Sequence, residues 1–177
     1  MKQAHKTFAR LALAMLLSLQ ASAFAHGDVD PDEDVHDAIA QLRRATAPFH
    51  DVHAAQAAGY SQFLGCVAEP GQGAMGVHYL NGTLVADAVL DPLRPEALMY
   101  APGKNGQLQL VGAEFIVFQD AWDALHPQPP VLFGHPFHLV RVPDRYGVQA
   151  FYELHLWVWK HNKNGIFNDW NPTVRCP

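Results

Sequence analysis

Glu96-Ala97-Leu98-Met99-Tyr100-Ala101, then Gly103-Lys104-Asn105-Gly106, then Gln107-Leu108-Gln109-Leu110-Val111-Gly112-Ala113-Glu114-Phe115-Ile116-Val117-Phe118 is the stretch that decides the fold. Two apolar, β-favouring runs flank a Gly/Asn turn, which is the pattern of a β-hairpin. Alternate residues of a strand share a face. Leu108, Leu110, Gly112, Glu114, Ile116 and Phe118 therefore read as one face, with Glu114 its only charge.

Working outward, the downstream half repeats the pattern. Phe137 to Val142, a turn over Pro143 to Gly147, and Val148 to Trp159 form a second hairpin. Upstream, Tyr60 to Ala68 and Gly76 to Leu80 read as strands, the latter closed by an Asn81-Gly82 turn. Further upstream the period changes to helical, with Val35, Ile39, Leu42, Phe49 and Val52 on one stripe. Asp30 is placed to cap this helix, Pro31 to open it and Glu33 to fold back on the cap. Pro48 should kink the helix or split it in two, and Gly59 should end it. The fold class is α+β. An N-terminal kinked helix, or two helices, packs on an antiparallel sheet that is curled or closed into a barrel.

The first 25 residues stand apart. Lys2, Lys6 and Arg10 precede the apolar run Leu11 to Leu19, and Ala23 and Ala25 supply small residues at a cleavage site. This is the layout of a secretory signal peptide, too short to span a membrane. The expected organisation is a signal peptide over 1–25 and one α+β domain over 26–177, periplasmic or secreted. Removing three of the 12 basic residues and none of the 17 acidic ones takes the formal charge from −5 to −8. An acidic chain is a poor partner for nucleic acid or anionic lipid.

Cys66 and Cys176 are the two cysteines, and an oxidising compartment favours one disulfide between them. A redox pair or metal ligation are the alternatives, without Cys-x-x-Cys spacing to support them.

Ionisable residues in apolar strands carry the functional reading. His78 lies on a face with Gly76 and Leu80. In Phe151-Tyr152-Glu153-Leu154-His155-Leu156-Trp157-Val158-Trp159, Glu153 and His155 project together, roughly 7 Å apart, beside Phe151, Trp157 and Trp159. If these faces line one interior, His78, Glu114, Glu153 and His155 are candidate ligands for one divalent transition metal: zinc, iron, manganese or copper. Any one of these residues alone reads more readily as a satisfied polar pair in the core than as a ligand, and it is their coincidence on three strands that points to a site. Trp157 and Trp159, with His138, are candidates for the wall of a small-molecule pocket. Gly76 and Gly112 fit a bulge or close backbone approach near such a site, or an ordinary strand bend. His50 and His53 read as one helix-packing and one exposed histidine, with His53 on the packed side. Cleavage after Ala25 would make His26 an amino terminus able to chelate copper. Ser61 is the only serine after residue 25, and no Gly-x-Ser-x-Gly elbow is present, so serine nucleophile chemistry is unsupported.

The ordered motifs His50-Asp51, Ala58-Gly59-Tyr60, Gly76-Val77-His78-Tyr79, Pro95-Glu96-Ala97-Leu98-Met99-Tyr100, Gly112-Ala113-Glu114-Phe115, Glu153-Leu154-His155-Leu156-Trp157 and Asn171-Pro172-Thr173-Val174-Arg175-Cys176 span nearly all of the mature chain. Together they resemble a widespread set of exported bacterial proteins of unknown function. That resemblance implies export and brings no activity. A vaguer similarity is to cupins, metal-binding barrels whose His-x-His motif is absent here. The functional expectation is a metal ion or small molecule bound through His and Glu in a barrel-like pocket. The alternatives are a non-enzymatic apolar binding module and a structural envelope protein.

Overall fold

The computed structural model describes residues 31–103 and 105–177. The signal-peptide reading, His26 and the Asp30 cap lie outside the described residues.

Helix α1 (Pro31–Thr46) is followed by one 3₁₀ turn (Ala47–His50) and helix α2 (Val52–Ala57), so Pro48 splits the helix rather than bending it. Proline has no N–H and clashes with the preceding turn, and the chain restarts only when Asp51 accepts from the His53 N–H. Gly59 ends α2 in the left-handed region, φ +95°.

The strands are β1 (Ser61–Gln62), β2 (Val67–Glu69), β3 (Gly73–Leu80), β4 (Ala97–Pro102), β5 (Leu108–Phe118), β6 (Val131–Leu132), β7 (His135–Pro136), β8 (His138–Val140) and β9 (Phe151–Leu156). The main sheet runs β1-β3-β4-β5-β9-β8, with β2 also on β3, and every pairing is antiparallel. It is an open sheet and does not close into a barrel among the described residues. The hairpins β4–β5 and β8–β9 follow the sequence pattern.

Three local expectations change. Tyr60 to Ala68 is not one strand: it breaks between β1 and β2. Asn81-Gly82 is not a hairpin turn. The Asn81 side chain accepts from the Thr83 N–H and caps helix α3 (Gly82–Ala86) instead. On β5 a bulge skips one residue, since Met99 pairs with Gly112 but Tyr100 with Leu110. One extra residue reverses the alternation. Leu110 therefore packs with Tyr79, Leu98 and Tyr100, while Glu114 and Ile116 face the other way.

One face of the sheet is covered by helices. Ile39 and Leu42 of α1 pack on Phe115, Val117, Leu154 and Leu156, and Ala55 of α2 packs near Tyr79 and Leu98. The opposite face has two apolar clusters, one around Met99 and Trp157, the other around Ala97, Ile116 and Phe151. It is covered in part by the C-terminal segment, which Cys176 anchors by a disulfide to Cys66, 110 residues away. A covalent loop of this length contributes about 5 kcal/mol on the chain-entropy model. No described helix is long and apolar enough to cross a membrane.

Candidate metal centre

Between the two apolar clusters of the second face lies a polar set. Glu114 on β5 stands directly opposite His155 on β9. His78 is two strands away on β3, across β4. In the row through Glu114 the β4 residue is Ala97, whose small side chain leaves room for the histidine to reach over. All three residues are buried.

The carboxylate of Glu114 faces both rings. Its Oε2 lies 3.5 Å from His78 Nε2 and its Oε1 lies 3.6 Å from His155 Nε2. Donor atoms from all three residues fall within 4.8 Å of one another. These separations exceed an ordinary hydrogen bond, about 2.7–3.2 Å. They approach the edge of a tetrahedron around a zinc-like ion with bonds near 2.1 Å, which is about 3.4 Å.

His155 sharpens the point. Asp169 Oδ1 approaches its Nδ1 to 3.2 Å but falls short of hydrogen-bond geometry, and neither ring nitrogen has a hydrogen-bond partner. Buried polar atoms without partners are rare and costly. An imidazole backed by a carboxylate, with its other nitrogen turned to an acidic group, is a common arrangement for a metal ligand.

The electrostatics agree. Burial pushes Glu114 up to about 8, against the pull of His155. Burial also acts to lower His155, but Glu114 and Asp169 outweigh it and hold the imidazole up to about 9. His78 is pushed down to about 3 by burial and by the neighbouring His155 cation. Asp169 is lowered: burial works against this, and its contact with His155 prevails. At neutral pH, His78 thus offers a free lone pair, while Glu114 and His155 favour their protonated forms. A divalent cation could replace those two protons with no change in the charge of the cluster.

Glu153, expected beside Glu114, is buried and lines the same cavity. Its nearer imidazole is His138, whose Nδ1 is 3.5 Å from Glu153 Oε1 and 3.5 Å from Asp169 Oδ2. His138 lies on the edge strand β8 with its side chain 53% exposed.

Trp157 and Trp159 do not line the cavity beside Glu114. The strand ends at Leu156, because the Trp157 N–H bonds to Ile166 and the Val158 N–H folds back on the Leu156 carbonyl, so the alternation no longer holds. Trp157 is buried near Met99 and Val174, and its indole donates to the Asn168 carbonyl at 2.5 Å. It braces the turn that carries Asp169. Trp159 points to the helices, donating to Thr46 Oγ1 at 3.1 Å and meeting the His50 ring edge-on. His53, expected on the packed side, is instead exposed beside Gln56.

Beside the polar set is an apolar cavity of about 120 Å³. Leu80, Ile116, Phe118 and Phe151 line it, and His78, Glu114 and Glu153 form its polar wall. Asp169 is the residue that sequence reading missed. It sits in a turn-rich segment with no periodicity to place it.

Comparison of the chain with protein-family models, with curated proteins and with solved structures finds no match.

Proposed function

We propose that this is an exported metal-binding protein holding one divalent transition metal through His78, Glu114 and His155. Asp169 supports His155 from behind. The observation that carries the reading is His155, fully buried with both ring nitrogens unsatisfied and facing carboxylates. Two imidazoles and one carboxylate suit zinc, iron or manganese, and leave coordination positions open. The apolar cavity next to them supplies a place for a small molecule whose polar end meets the ion. When bound, such an ion can polarise a ligand oxygen or lower the pKa of bound water. The disulfide fits an oxidising compartment, in line with the signal-peptide pattern and the exported proteins that the motifs resemble. Metal analysis of protein purified without a polyhistidine tag tests the reading. About one equivalent is expected, lost in His78→Ala and His155→Ala. Metal content unaffected by both substitutions would exclude it.

The cavity also favours a second reading, a metal-free module for an apolar small molecule. Its apolar walls dominate, and Glu114 with His78 would hold the ligand's polar group. Native mass spectrometry separates the two: a co-purified organic mass without metal supports the second.

A further inference from the structure

We propose that the protein carries a second divalent cation, bound by His138, Glu153 and Asp169 in the cleft beside the first group, making a two-metal centre. The proposal deepens the reading above and rests on it.

The second group repeats the geometry of the first. His138 Nδ1 stands 3.5 Å from Glu153 Oε1 and 3.5 Å from Asp169 Oδ2, equidistant from two carboxylates and hydrogen-bonded to neither. One donor atom from each residue lies within 4.8 Å of the others. The elements hold these atoms firmly. His138 and Glu153 are direct partners across the β8–β9 ladder, and Asp169 sits in a turn fixed by Trp157 and Asn162.

Two features join the groups. Asp169 presents Oδ1 to His155 and Oδ2 to His138, and Glu153 lines the same cavity as Glu114. Asp169 thus backs a ligand of the first group while belonging to the second. Three carboxylates, Glu114, Glu153 and Asp169, converge here, and Glu114 and Glu153 are buried.

An open cleft of about 280 Å³ reaches this group from solvent. Asp144 lines the same cleft, and its Oδ2 is buried without a hydrogen-bond partner. Arg145, the nearest cation in the cleft, is committed to Glu69 at 2.7 Å. The ligand set is one imidazole and two carboxylates, suited to manganese, iron or zinc.

The test loads tag-free protein with Co²⁺, removes excess by gel filtration, and measures metal per chain together with the paramagnetic resonance spectrum. Wild type should hold about two equivalents with a magnetically coupled signal, as neighbouring ions give. His138→Ala, at an exposed edge position, and Glu153→Gln should each hold about one and show an uncoupled signal. Circular dichroism confirms that both variants are folded. One equivalent in wild type, unchanged in His138→Ala and lost in His78→Ala, overturns the second site and leaves the first standing. No bound cobalt in wild type overturns both.

Discussion

Glu114 and His155 face each other directly across neighbouring strands, yet 3.6 Å separates Oε1 from Nε2. A buried carboxyl and imidazole free to bond would close to about 2.8 Å. The separation is close to a ligand–ligand edge around a divalent ion, about 3.4 Å. Glu114→Gln keeps the shape and removes the anionic ligand. It should weaken Zn²⁺ binding at the His78–Glu114–His155 group more than about 100-fold, beyond the 10- to 100-fold expected there of Asp169→Asn, which acts on that group through His155. Competition titration against a chromophoric chelator measures both. Equal, small effects from the two would argue for a polar core pair rather than a ligand set.

Metal uptake should release protons. Glu114 is raised to about 8 and His155 to about 9, so both carry protons at neutral pH that a cation must displace. Affinity should therefore climb as pH rises from 6 towards 8. Calorimetry at pH 7 in buffers of different ionisation enthalpy should show about two protons released per ion. Binding enthalpies that do not vary with buffer would contradict this.

Away from the cluster, Glu96 is a separate buried acid, 1% exposed, with Oε2 accepting from the Ile116 N–H at 3.1 Å. Burial pushes it up to about 8, against that hydrogen bond, with Asp87 and Asp91 adding repulsion. Its folded pKa lies above its unfolded one, so the native state holds a proton that the unfolded chain has released. That contribution is complete below about pH 4.5 and is lost as pH rises through 8. Glu96→Gln keeps an acceptor and cannot ionise. Between pH 5 and 9, in chelator, its melting temperature should fall less than that of wild type. Parallel profiles would show that Glu96 is not the buried acid responsible.

At Gly76, φ is +98° and an added Cβ would run into the Tyr100 carbonyl oxygen. Gly76→Ala should cost about 2–4 kcal/mol in urea unfolding, because strain and clash combine two residues from His78. At Gly112 a Cβ would meet the Leu156 carbonyl and the Met99 methyl. Close backbone approach, rather than a simple bend, explains both glycines.

Replacing Cys66 and Cys176 together by Ala should lower stability by about 5 kcal/mol. It should also weaken metal binding, because the segment that carries Asp169 runs on to Cys176. A fully folded variant with unchanged affinity would show that Trp157 and Asn162 alone hold that segment.

The sequence showed His78, Glu114 and His155 because each breaks an apolar alternation that backbone geometry makes readable. The hairpin partners could be paired for the same reason. What it hid follows from where that periodicity stops. The bulge beside Met99 sends Leu110 to the helix side, although simple alternation puts it with Glu114. Trp157 and Trp159 follow the last ladder bond of β9 and diverge to opposite sides. Asp169 reaches His155 from a turn, where spacing carries no directional information. Asn81 looks the same in sequence whether it starts a hairpin turn or caps a helix.

The bridge between Cys66 and Cys176 has one more consequence. His78, Glu114, His138, Glu153, His155 and Asp169 all lie between the two cysteines, so every candidate ligand sits inside one covalent macrocycle. A protease that cuts once in that ring, at the exposed turn around Leu93 for example, opens it without dividing the molecule. The nicked product is two polypeptides joined by the disulfide, with all six donors still held in one molecule. It separates into fragments only when a reductant reaches the sulfurs.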